Sequence, residues 1–163
     1  MPTRWSKAML RISGVLAFLP LLLPFVANAA DGANPGDKPL SEILKPVEQH
    51  GTAVSAGLTR HRREVVVCER PGICTELYLD RVTGQELRRD RERDLVSFPP
   101  RDAMPLARIV LSLEQRGLGG ITDVEFDRRL WDVDLRNPQG RRAELKVDPF
   151  TADIVRCRGR ACP

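Results

Sequence analysis

The sequence predicts an α+β fold made of two tandem repeats, each a helix packed on a three- to four-stranded antiparallel sheet. Two observations support this prediction. Between residues 105 and 155, apolar residues first recur with the spacing of a helix and then alternate with polar ones, as they do in half-buried strands. A related pattern occurs between residues 39 and 84, which indicates an internal repeat.

The second repeat, residues 105–163, shows the pattern most clearly. Its helical stripe consists of four apolar residues spaced at i, i+3, i+4 and i+7: Leu106, Ile109, Val110 and Leu113. Three strands follow, with inward residues at every second position: Thr122, Val124 and Phe126; Trp131, Val133 and Leu135; and Ala143, Leu145 and Val147. Trp131 is the largest of these side chains, so we expect it to anchor the core by packing on Leu106, Ile109 and Leu113.

The first repeat, residues 39–90, matches the second at both ends. The identical pairs are Pro39 and Pro105, Leu40 and Leu106, Ile43 and Ile109, Glu48 and Glu114, Gln49 and Gln115, Gly51 and Gly117, Gly72 and Gly140, Glu76 and Glu144, Leu77 and Leu145, Asp80 and Asp148, and Thr83 and Thr151. Arg63 stands at the place of Trp131, so the first core must be filled differently. A run of mixed charge that begins at Arg88, followed by two prolines, is typical of a solvated connector, and the linker is assigned to residues 91–104.

Residues 1–30 have the organisation of a signal peptide. A basic segment precedes an apolar run, and the small-x-small sequence Ala27-Asn28-Ala29 follows it. This order predicts a periplasmic or secreted protein that is cleaved near Ala29 or Ala30 and is not embedded in the membrane afterwards.

The charge of the exported chain argues against a nucleic-acid partner. Three basic residues and no acidic residue leave with the signal peptide, so 23 basic residues remain against 22 acidic ones. Residues 31–38, rich in Gly, Asn, Pro and Asp, are predicted to form a flexible linker.

Four cysteines in an exported chain predict two disulfides, for which three pairings exist in principle. Strand parity places Cys68 and Cys74 on one face of a hairpin, beside its turn, and this favours a local bridge. Cys157 and Cys162 would then close the C-terminal tail onto the last strand. Four thiolates on one zinc ion are the alternative, but five residues separate Cys68 from Cys74, more than zinc sites usually show. A metal or haem site is the weaker hypothesis, and no cofactor is expected.

Catalytic residues are not predicted either. The chain contains two histidines, His50 at a helix end and His61 in an arginine-rich turn. Three acids, Asp132, Asp134 and Glu144, fall on outward strand positions, where carboxylates are normally solvated and have no catalytic partner. We therefore expect the protein not to be an enzyme.

Residues of the second repeat also resemble the PepSY domain family, which occurs in propeptides of secreted metallopeptidases and in bacterial envelope proteins. The residues that carry the resemblance are Ile121-Thr122-Asp123-Val124-Glu125-Phe126, Trp131-Asp132-Val133, Gly140, Glu144-Leu145-Lys146-Val147-Asp148-Pro149 and Thr151. Ala152 departs from the family, which usually has glycine there.

The resemblance implies a non-catalytic module that binds a protein or peptide in the periplasm or outside the cell. A peptidase that it inhibits, or another envelope protein that it regulates, is the expected partner. An exposed sheet face or edge strand is the ordinary means of such binding. The alternative is a structural or stress-related envelope protein without a specific partner. The sequence does not indicate which residues would bind a partner.

Overall fold

The computed structural model describes residue 34 and residues 36–93 and 97–163, and the predicted signal peptide lies outside them. The elements, in chain order, are α1 (Leu40–Val47), β1 (Thr52–Leu58), β2 (Arg62–Arg70), β3 (Ile73–Asp80), β4 (Glu86–Arg91), α2 (Leu106–Gln115), β5 (Ile121–Asp127), β6 (Leu130–Arg136), β7 (Arg142–Val147) and β8 (Ile154–Gly159). None of the described helices is long and apolar enough to cross a membrane.

The described strands form one antiparallel sheet with the order β4-β3-β2-β1-β5-β6-β7-β8. β1 and β5 pair at its centre, where Ala56 lies opposite Val124. The predicted α+β class and antiparallel pairing are confirmed. The strands join into a single eight-stranded sheet, however, and not into separate sheets of three or four strands.

Both helices contribute to one core on the same face of the sheet. Trp131 is fully buried there, and Leu106, Ile109 and Leu113 belong to the same cluster of buried residues. The ring of Phe126 meets the Trp131 indole edge-on, with 5.2 Å between the ring centroids. Edge-to-face packing is a favourable arrangement of aromatic rings, so the two side chains stabilise the second half of the core together.

Arg63 takes the equivalent inward position in β2 and is only 2% exposed. Its Nη1 donates to the Ile121 carbonyl at 2.8 Å and so reaches across β1 to β5. Burial is the main influence on this guanidinium and lowers the pKa of Arg63 to about 10, while the negative charge of Asp37 partly opposes the shift. The buried Arg63 guanidinium therefore links β2 to β5. It takes the position in the first half that the Trp131 indole takes in the second half.

Asp37 lies in the segment that the sequence predicted to be a flexible linker, yet its side chain is held by the turn after β3. The Arg81 Nε donates to the Asp37 Oδ1 at 2.7 Å, and both side chains are largely buried. The Lys38 amide donates to the Arg81 carbonyl at 3.0 Å. These contacts attach residues 37–38 to the folded body.

Two local predictions were wrong. The first four residues of the charged run that begins at Arg88 are in β4 and not in a connector. Exposed charges suit an edge strand because it has one neighbour only and must avoid pairing with other chains. In β5, a bulge shifts the register, so Ile121 points into the core instead of Thr122.

Candidate binding surface

One face of the sheet is free of helices, and we call it the open face. The core residues of each strand point to the helices, and the side chains that alternate with them point to the open face. Neither of the two described helices packs against it, because both contribute to the core on the other side. The open face is thus a surface of the sheet that neither described helix covers.

The β2–β3 part of the open face carries a small apolar cluster around a disulfide. Cys68 and Cys74 are bonded, with a sulfur–sulfur distance of 2.05 Å, and pack with Val54 and Val66. The cysteines point away from the helices, as strand parity predicted, but they are buried because Phe98 lies against them. The segment that leads to α2 therefore covers this corner of the face.

A second disulfide closes the C-terminal tail. Cys157 and Cys162 are bonded at 2.01 Å, and Ala161 and Cys162 pack against the main core. These are the two local pairs that the sequence favoured, and they leave no free thiolate for a zinc ion in the described residues. Two disulfides indicate a protein that folds outside the reducing cytoplasm.

Tyr78 lies between two arginines on the open face of β2, β3 and β4. The guanidinium carbons of Arg62 and Arg88 are 4.4 and 5.2 Å from the centroid of its ring. The Tyr78 hydroxyl donates to Glu76 at 2.6 Å. Cation–π contacts of this kind hold exposed long side chains in place, so this end of the open face presents an ordered aromatic and basic surface.

The middle of the open face carries carboxylates that oppose one another across neighbouring strands. Asp123 pairs with Asp134, Glu125 with Asp132, and Asp134 also with Glu144. We call these five residues the acidic centre. Like charges directly opposite each other destabilise a sheet. The Lys146 ammonium group forms an ion pair with Asp132 and offsets part of this repulsion.

Asp123 shows the electrostatic effect of the acidic centre most clearly. Partial burial, and then the charges of Glu125 and Asp134, raise the pKa of Asp123 to about 6, although the residue as a whole remains exposed to solvent. Gly57 of β1 lies beside it, and a Cβ on Gly57 would be 3.3 Å from the Asp123 Oδ1. The missing side chain at position 57 therefore leaves room for this carboxyl group.

We expect Asp123→Asn to stabilise the protein at about pH 8 and to change its stability little at about pH 4. The pKa of Asp123 is raised in the folded state to about 6, so the folded protein binds the proton more tightly than the unfolded chain. Stability is therefore lost as the pH rises from the unfolded pKa to about 6, and asparagine removes this loss. Urea unfolding at both pH values measures it, with Asp102→Asn, an exposed position, as control. Equal effects of Asp123→Asn at the two pH values would contradict the expectation.

A groove of about 540 Å³ crosses β5, β6, β7 and β8 near one end of these strands. Three arginines and two members of the acidic centre line it: Arg136, Arg142, Arg158, Asp134 and Glu144. The groove therefore lies where the negative middle of the sheet meets a positive edge. Long polar side chains and open access suit it to a segment of another protein better than to a buried small molecule.

The histidines lie apart from these features, and both are exposed. Within residues 36–93 and 97–163, no group of three or more His, Cys, Asp or Glu side chains is arranged to hold a metal ion. Asp132, Asp134 and Glu144 lie on the open face, as the sequence predicted. The sequence did not predict that these carboxylates face other carboxylates across neighbouring strands, because that depends on the register between the strands.

Comparison with known proteins identifies part of the chain. Residues 95–158 match the model of the PepSY_2 family, described as the peptidase propeptide and YPEB domain. This match confirms the resemblance of this segment to the PepSY family. No curated protein matches the chain. A crystal structure of a candidate lipoprotein from Clostridium difficile 630 has 12% identity and a TM-score of 0.44, and the alignment covers 80% of this chain and 100% of that one.

The turn that closes this segment explains why glycine suits the position of Ala152. The Asp148 Oδ1 accepts hydrogen bonds from the amides of Phe150, at 2.8 Å, and Thr151, at 3.0 Å. Ala152 follows with a φ of 61°, in the left-handed region that favours glycine. The turn thus keeps the conformation that glycine would permit, although alanine is less suited to it.

Proposed function

We propose that the protein is a non-catalytic module that binds a protein or peptide segment outside the cytoplasm, through the open face of its sheet. A peptidase that it restrains, or another envelope protein, is the partner that the PepSY domain suggests. The acidic centre is the observation that supports this most. Five opposed carboxylates lower the stability of the sheet, and a cationic group of a partner would relieve their repulsion.

We also propose that the chain is built from two copies of one unit, each a helix followed by four strands. Two equivalent turns support this. The Asp80 Oδ1 accepts from the Val82 and Thr83 amides, as the Asp148 Oδ1 does from the amides two and three residues after it. The backbone amide of Gly84 donates to the Asp80 carbonyl, and that of Ala152 does the same to the Asp148 carbonyl.

The helix ends support the same proposal, because each helix is capped by a glutamate from the other half. The Glu114 carboxylate accepts from the Ser41 amide at 3.4 Å and also from the Ser41 hydroxyl. The Glu48 carboxylate accepts from the Ala107 amide at 3.2 Å. Both helices begin after a proline, with no side-chain cap of their own. Carboxylates at helix N-termini satisfy free amides and favour the helix dipole, so the two halves exchange equivalent contacts.

A cross-linking pull-down from the native envelope, with the exported protein as bait, tests the binding function. The acidic centre is neutralised in one bait by Asp123→Asn, Glu125→Gln and Asp134→Asn. A matched control removes the same charge from exposed acids elsewhere, by Glu42→Gln, Glu69→Gln and Asp102→Asn. We expect the wild type and the control to enrich the same partner and the first variant to lose it.

The inhibition of a co-purified peptidase is measured with the same three proteins. Loss of inhibition only in the variant of the acidic centre would support a peptidase partner. Folded wild-type protein that enriches no partner and inhibits no peptidase would favour the structural or stress-related alternative. Equal binding by all three proteins would mean that the acidic centre is not the binding surface.

A further inference from the structure

We propose that β8 is a docking edge for an acidic, extended segment, which adds to the sheet as a further strand. The proposal rests on the proposed binding function and adds a second contact to it: the acidic centre would take a cationic group of the partner, and β8 would take an acidic segment. β8 is the last strand of the sheet, so its outer backbone N–H and C=O groups have no neighbouring strand among the described residues. Such an edge can form main-chain hydrogen bonds with an extended peptide.

The charge of this edge selects the partner. Arg156, Arg158 and Arg160 are exposed, and no acidic residue lies between Asp153 and Pro163. No ion pair with these three arginines is present in the part of the chain that the structure describes. Three unpaired cations with no acid between them attract a negatively charged segment.

The orientation of the arginines adds a requirement on spacing. Arg156 lies opposite Lys146 and Arg158 opposite Glu144, so both arginines are on the open face. Side chains of a strand alternate between faces, and a partner strand has its own open-face residues at every second position. Carboxylates at positions i and i+2 of the partner would therefore face Arg156 and Arg158, and guanidinium–carboxylate pairing would reinforce the main-chain hydrogen bonds.

The C-terminal tail leaves the outer side of β8 open. After β8, the Ala161 amide donates to the Arg142 carbonyl of β7 at 3.2 Å, and Ala161 packs against the core. The Cys157–Cys162 disulfide holds the tail in this inward course. The chain therefore turns back toward β7 and does not extend along the edge.

The other edge of the sheet does not have this charge pattern. In β4, Arg88 pairs with Asp90 and Arg89 with Glu86, so its charges are largely balanced within the strand. Pairing of β8 with β8 of a second copy would place arginines near arginines, which is unfavourable. An acidic segment of another protein is therefore the occupant that the edge fits.

Peptide binding measured by fluorescence anisotropy tests the charge and spacing. The probe is a peptide of about eight residues with glutamate at alternate positions, compared with an isomer of the same composition whose glutamates are consecutive. We expect the alternating peptide to bind the wild type about tenfold more tightly than the isomer does. The double variant Arg156→Glu with Arg158→Glu should bind the alternating peptide about tenfold more weakly, or weaker still, than the wild type does. Arg101→Glu with Arg108→Glu, two exposed positions away from β8, gives the matched charge control and should retain most of the binding.

Backbone methylation tests strand addition itself. Two versions of the alternating peptide carry N-methyl groups on opposite sets of alternate amides, so only one set faces β8. We expect one version to lose binding and the other to retain it. Equal binding of both versions, or an equal loss in both arginine double variants, would overturn the proposal. If the wild type forms dimers and the double variant Arg156→Glu with Arg158→Glu does not, the edge binds a second copy of the chain, and the proposal of an acidic partner is overturned as well.

The failure of this proposal can be told from the failure of the binding function. If the envelope partner binds the β8 variant as tightly as the wild type, docking at β8 is wrong and the binding function stands. If neither the acidic peptide nor any envelope partner binds, both are wrong.

Discussion

Trp131→Ala is expected to lower the free energy of unfolding by about 3–5 kcal/mol. The indole is fully buried among residues of both α2 and the sheet, so its loss removes a large apolar group and leaves a cavity. The edge-on contact with Phe126 is lost at the same time. Urea unfolding followed by far-ultraviolet circular dichroism measures the change without relying on tryptophan fluorescence.

Two further substitutions control this measurement. Trp131→Phe keeps most of the buried volume, and the Trp131 Nε1 has no hydrogen-bond partner within the described structure, so its removal should cost only about 1–2 kcal/mol. Val155→Ala alters a side chain that is 61% exposed and should change stability by less than about 0.5 kcal/mol. Similar losses for Trp131→Ala and Val155→Ala would show that Trp131 does not anchor the core.

Gly120→Ala is expected to cost about 3 kcal/mol or more, because it combines backbone strain with a collision. Gly120 has a φ of 76°, and a Cβ there would lie 2.1 Å from the carbonyl oxygen of Arg136. The Gly120 carbonyl accepts a hydrogen bond from the Arg136 amide at 2.9 Å, so neither strand can move away without losing this pairing. Thermal and urea unfolding measure the loss.

Gly117→Ala is the matched control for this substitution. Gly117 has nearly the same φ, 78°, but no atom lies within 4 Å of its added Cβ. It therefore reports the strain alone, which should cost about 1 kcal/mol. Equal losses at the two positions would mean that the β5–β6 backbones separate easily at Gly120.

Local patterns accounted for much of the fold. The stripe from Leu106 to Leu113 and the alternation around Trp131 predicted α2 and β6, because helix and strand periodicities depend on neighbouring residues only. The same parity placed Cys68 and Cys74 on one face, which favoured the disulfide between them.

Features that depend on contacts between distant segments were missed. The pairing of β1 with β5 leaves no periodic signal in either strand, so a continuous sheet could not be predicted. Arginine side chains are usually exposed. The burial of Arg63 depends on its hydrogen bond to the Ile121 carbonyl, which lies on a strand far along the chain. The acidic centre likewise depends on strand register, which places Asp123 opposite Asp134.

Glu114 caps the start of α1 and Glu48 caps the start of α2, so each half of the chain binds to the other. A chain divided between β4 and α2 would yield two fragments that each expose a central strand and an uncapped helix. Mixed together, the fragments would complement each other and restore the sheet, as subunits of an obligate heterodimer do. Removing residues 105–163 would therefore leave an association-prone remnant and not an independent binding unit, and single-residue variants are the appropriate means of dissecting this protein.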